Sequence, residues 1–110
     1  MDFKEYQKLA QRTSNKELSR TEHIINGALG LCGEAGEVAD LIKKGLMQGH
    51  GIDRARVLEE MGDVMWYLAE LAEWMNADLK DVAKGNVEKL RRRFPDEEGF
   101  SAERSINREV

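Results

Sequence analysis

With 110 residues and 41% apolar content, the chain can fill one core but not two, so it reads as a single small domain. Its 21 acidic and 17 basic residues give a net charge of −4 and alternate along the chain, which excludes the broad basic face that polymeric nucleic acid requires. The single cysteine, Cys32, excludes an intrachain disulfide and a cysteine-cluster metal site, and reads as a small buried residue in a reducing compartment.

A first helix is expected over about residues 2 to 13, with Phe3, Tyr6, Leu9 and Ala10 at helical spacing and Asp2 as cap. The start Met-Asp-Phe-Lys-Glu-Tyr has no signal-peptide pattern, and no apolar run approaches the roughly 18 residues of a membrane helix. The expectation is a soluble, cytoplasmic protein without a membrane partner. Ser19-Arg20-Thr21-Glu22 has the form of a capping box, so a long second helix should start there and run to about Lys44, with Gly45 as its stop. After a glycine-rich connection, Asp53 can cap a third helix over about 54 to 76, and Asp78 a fourth over about 79 to 94 that Pro95 ends. The fold class is therefore all-α, a bundle of roughly four helices over residues 1–95, followed by a polar tail over 96–110 with Phe100 and Ile106 as anchors.

At about 100° per residue, Ile24, Ala28, Leu31, Ala35, Val38, Ala39, Ile42 and Leu46 form the expected core stripe of the second helix. Glu34 and Glu37 lie on its flank, in line with Gly27, Gly30 and Leu41. The third helix repeats the plan. Val57, Met61, Val64, Leu68, Leu71, Ala72 and Met75 form its core stripe, Glu59, Glu70 and Glu73 face away, and Glu60 and Asp63 lie on a flank that Tyr67 and Trp74 continue. Residues three apart share a helix face, so each acidic pair is a carboxylate clamp. Two antiparallel helices that turn these flanks together bring four carboxylates into one small volume, where only a cation relieves the repulsion. All-oxygen ligation selects Mg²⁺, with Mn²⁺ as substitute, over zinc or copper. The acids at both i+3 positions, where di-iron bundles carry histidine, disfavour iron. His23 and His50 read as ordinary surface histidines.

Glu34-x-x-Glu37, 22 intervening residues and Glu60-x-x-Asp63, set in Gly-Glu-Ala-Gly-Glu-Val-Ala-Asp and Glu-Glu-Met-Gly-Asp-Val-Met-Trp-Tyr-Leu-Ala, resemble the MazG-like all-α nucleoside triphosphate pyrophosphatases. The resemblance covers about residues 20 to 95. It implies that Glu34, Glu37, Glu60 and Asp63 bind Mg²⁺, and that a (deoxy)nucleoside triphosphate is cleaved between its α- and β-phosphates to monophosphate and pyrophosphate. One glutamate, Glu37, is the candidate for orienting the attacking water. Asn86-x-x-Lys89-Leu90-x-x-Arg93 looks like the family's phosphate-holding segment: Lys89 and Arg93 would hold phosphate oxygens and Asn86 a phosphate or sugar.

Tyr67 and Trp74 are candidates for stacking a base, and Trp66, on the side away from the acids, for a subunit contact. Phe3, Tyr6 and Gln7 serve either core packing or a nucleoside pocket. By resemblance the chain assembles into a homodimer or homotetramer, with the reach of Arg104 and Arg108 to a site left open. The alternatives are a dUTP/dCTP-type or phosphoribosyl-ATP pyrophosphatase, and a helical module that binds nucleotide without turnover.

Overall fold

The computed structural model describes residues 1–95 and 99–106 and is all-helical, with no strand among the described residues. Helix α1 spans Phe3–Ala10 and tightens into a 3₁₀ turn, Gln11–Thr13; α2 spans Arg20–Met47, α3 Arg54–Trp74, α4 Leu79–Arg93 and the short α5 Ala102–Ile106. The chain forms two compact units, Met1–Leu79 and Lys80–Val110. No helix of the described residues is long and apolar enough to cross a membrane.

The starts of α1, α2 and α3 follow local chemistry. Asp2 accepts from the Glu5 amide and Asp53 from the Arg56 amide. At Ser19 both bonds of the capping box form: its hydroxyl accepts from the Glu22 amide at 3.2 Å, while Glu22 accepts from the Ser19 amide at 3.0 Å. The end of α2 departs from expectation. Gly45 does not stop it; the helix continues to Met47, and Gly45 is buried where the connection folds back. A Cβ there would lie 2.7 Å from the Gly51 carbonyl oxygen, so Gly45 is needed for close approach. Gly49 and Gly51, at φ +74° and +73°, turn the chain instead.

Helices α2 and α3 form an antiparallel hairpin: Gly27 meets Leu71, Gly30 meets Tyr67, and Glu34 meets Glu60. The packed face of α2 is the flank carrying Gly27, Gly30, Glu34 and Leu41, rather than the expected apolar stripe. Of that stripe Ile24, Leu31 and Val38 are half-buried, while Ala28, Ala35, Ala39, Ile42 and Leu46 are exposed. In α3, Val57, Val64 and Leu71 are half-buried and Ala72 is buried, but Met61, Leu68 and Met75 are exposed. Glycines admit the α3 side chains to the α2 backbone, so the hairpin closes on its flank and leaves apolar groups outside. Cys32 is also exposed, contrary to expectation.

α1 packs on α3, and Ala10, Ala69, Ala72 and Leu79 form the small fully buried core, with Tyr6 and Trp66 against it. Gln7 is buried and makes a polar splice: its amide donates to Glu73 and to the Ala77 carbonyl, while its oxygen accepts from the Leu79 amide at 2.7 Å.

In the second unit, Val87, Leu90, Arg91, Phe94, Gly99 and Phe100 line a cavity of about 300 Å³. The Phe94 and Phe100 rings lie 5.6 Å apart, yet Phe100 is 73% and Ile106 85% exposed, so neither is the buried anchor expected of the tail. Arg108 and the side chain of Arg104 lie outside the described residues.

Candidate functional site

The register of the hairpin follows from Tyr67. A Cβ on Gly30 would overlap its ring, so the ring rests on bare α2 backbone. One turn along α2 stands Glu34, and one turn back along α3 stands Asp63. Glu34, Glu37 and Glu60 each offer a carboxylate oxygen, all within 4.8 Å of one another. Glu34 and Glu60 are half-buried and Glu37 is exposed. Asp63, the fourth predicted acid, is exposed and lies outside that group of three, but it lines the neighbouring cavity with Glu34 and its charge acts on Glu60.

The electrostatics record the crowding. Glu60 holds its proton above the ordinary glutamate range, first because it shares a hydrogen bond with Glu34, then through desolvation and the charges of Glu34 and Asp63. Burial and the charge of Asp63 likewise raise the Tyr6 phenol. A set of hard oxygen donors that repel one another fits a divalent cation of the Mg²⁺ or Mn²⁺ kind, whose charge would replace the shared proton.

Glu34 and Asp63 also line an open cavity of about 390 Å³ with Thr13, Trp66 and Tyr67. Tyr67 lines this cavity, its ring edge-on to Trp66 with centroids 5.0 Å apart. Trp66 lines the same cavity as Glu34 and Asp63, and so is not on the side away from the acids as expected. Its indole N–H donates to the Thr13 hydroxyl at 2.8 Å and to the Ala10 carbonyl at 3.2 Å, joining α3 to the 3₁₀ turn at the cavity wall. Asn86, Lys89 and Arg93 lie on α4 at spacings that share one face; Asn86 and Lys89 are exposed and Arg93 is half-buried.

Two residues expected at the surface, Glu70 by periodicity and His23 as an ordinary histidine at a helix start, are buried. Glu70 is 1% and His23 2% exposed. Glu70 Oε1 accepts from Ser14 Oγ at 2.8 Å, His23 Nδ1 at 2.9 Å and Trp74 Nε1 at 2.9 Å, and Oε2 accepts from Gln11 Nε2 at 3.0 Å. Trp74 stacks on His23 with centroids 3.9 Å apart, and so belongs to this network instead of lining the cavity. One sequence signal was available: Glu70 lies four residues from both Trp66 and Trp74, a carboxylate bracketed by two indole donors along one helix.

The site is thus an all-helical hairpin that gathers glutamates of α2 and α3 beside a cavity walled by aromatic rings. The chain belongs to the MazG nucleotide pyrophosphohydrolase domain family, whose model matches residues 26–97. Proteins of this family act on small nucleotides and generally use a divalent metal. Over 69 residues the chain is 42% identical to the Gene 37 protein of Mycobacterium phage L5, a match covering 59% of this chain and 60% of that protein. The chain therefore spans about three-fifths of the relative's length. No solved structure matches.

Proposed function

We propose that this chain hydrolyses (deoxy)nucleoside triphosphates at the α–β phosphoanhydride, releasing monophosphate and pyrophosphate, with Mg²⁺ held by Glu34, Glu37, Glu60 and Asp63. The observation that carries the reading is the meeting of carboxylate oxygens from two helices within 4.8 Å beside an open cavity of about 390 Å³. Bound ions of this kind neutralise phosphate charge and lower the pKa of water. Glu37, exposed like Asp63, orients the attacking water, while Asn86, Lys89 and Arg93 hold phosphate or sugar oxygens. Tyr67 offers a ring face to the base.

The partner we propose is a second copy, in a homodimer or homotetramer of a cytoplasmic protein. Helical spacing puts Ala28, Ala35, Ile42 and Leu46 of α2 and Leu58, Met61, Met65 and Leu68 of α3 on one side of the hairpin, away from Glu37 and Asp63. These apolar groups are exposed over both helices, and a second copy burying them would supply the core that one chain lacks.

The test is pyrophosphate release from a panel of canonical and modified nucleoside triphosphates, with Mg²⁺, Mn²⁺ or chelator. Metal-dependent release with monophosphate as co-product supports the reading. Turnover confined to dUTP and dCTP, or to phosphoribosyl-ATP, selects the narrower enzyme; binding without turnover selects the non-catalytic module.

A further inference from the structure

The Glu70 network and the cavity share a segment. Gln11 and Ser14, both donors to Glu70, flank Thr13, which lines the cavity. The Thr13 hydroxyl donates to the Ala10 carbonyl at 2.9 Å and accepts from Trp66, which lies four residues before Glu70 on α3. The bonds thus close a circuit: from Glu70 along α3 to Trp66, across to Thr13, along the turn to Ser14 and Gln11, and back to the Glu70 carboxylate. His23 ties the first turn of α2 into the same oxygen. A buried carboxylate with four donors, from the turn, from α2 and from its own helix, holds its neighbours in one arrangement, because freeing a donor leaves polar groups unsatisfied in the interior.

Along this stretch of wall the single hydroxyl proton of Thr13 and the single indole proton of Trp66 are already donated to protein acceptors. What remains for a ligand is a methyl group and aromatic surface, suited to the flat, weakly polar part of a nucleotide rather than to its phosphates.

We propose that Glu70 is a positioning residue: through Ser14 and Gln11 it fixes Thr13 and Trp66 as the wall that receives the nucleoside end of the substrate. This rests on the triphosphate pyrophosphohydrolase reading. The metal cluster lies outside the circuit, so loosening it should affect nucleoside binding and leave metal binding intact.

The experiment uses the full chain and its Ser14→Ala and Glu70→Gln variants. It measures the solvent-exchange rate of the Trp66 indole proton by NMR, KM and kcat for a deoxynucleoside triphosphate, the inhibition constant of inorganic tripolyphosphate, and Mn²⁺ affinity. In Ser14→Ala, loss of one bond to a buried carboxylate is expected to raise both the Trp66 exchange rate and KM about tenfold. The kcat, Mn²⁺ affinity and tripolyphosphate inhibition should stay within about twofold, since a purely structural defect would lower all of them together. Unchanged Trp66 exchange and KM in a folded Ser14→Ala protein would overturn the proposal. That variant decides the matter if Glu70→Gln does not fold. Should the parent chain release no pyrophosphate while Ser14→Ala frees the Trp66 proton, the pinning stands and the enzymatic reading falls.

Discussion

Glu34 and Asp63 reach the cavity from different helices, so neither can replace the other. Glu34→Gln and Asp63→Asn are each expected to lower metal-dependent pyrophosphate release by on the order of 100-fold or more, without loss of helical circular dichroism. Full activity in either variant would exclude the cluster as the site. Glu60 supplies a pH signature. Its folded pKa is raised above the ordinary 4.5, so the repulsion that opposes folding is greatest above that raised value and is relieved as pH falls through it. An ion must displace the proton, hence Mn²⁺ affinity should fall across the same interval. Calorimetry from neutral pH downward should show proton release growing as pH is lowered towards the raised value, and a pH-independent affinity would contradict the shared-proton picture. Glu22 has the opposite sign: its capping bonds with Ser19 hold its pKa down, so its contribution is present at neutral pH and fades as pH falls through the lowered value. The burial of Glu70 was not legible from periodicity, because its donors Gln11, Ser14 and His23 come from distant positions.

At the scale of elements, the helices were legible where their signals are local. The caps at Asp2, Ser19 and Asp53 all form. The face on which α2 packs was not, since glycine adds nothing to an apolar pattern and Glu34 counts against one; it is the backbone approach at Gly27 and Gly30 that decides it. This yields a contrast among glycines of one helix. Gly30→Ala must push Tyr67 aside and is expected to cost about 1–3 kcal/mol together with activity. Gly33→Ala meets nothing and should stabilise by about 0.5–1 kcal/mol through helix propensity. Thermal melting of the two variants checks the order, and equal shifts would mean that the ring does not rest on the helix.

For the whole molecule, the fully buried apolar core of the described residues amounts to three alanines and a leucine. The all-helical class was readable from composition and capping, whereas this thin core was not, because the same periodicity suits an interior or an interface. If two copies meet through α2 and α3, Met61→Lys with Met65→Lys should convert the assembly to monomers in sedimentation velocity. An unchanged sedimentation coefficient would exclude that face as the interface. The meeting of Glu34, Glu37 and Glu60 was legible in the sequence, since i, i+3 acids on successive helices need only an antiparallel turn to approach, whereas the place of Asp63 outside that group of three was not.

The Tyr67 ring on the Gly30 backbone has a mechanical consequence. It works as a shim, setting by its thickness the span between the two acid pairs, much as a spacer sets the gap of a jaw. A ring-for-ring exchange such as Tyr67→Phe keeps that span while removing only a hydroxyl. Tyr67→Ala takes the shim out, and the two helices are free to settle together and alter the space in which the carboxylates meet.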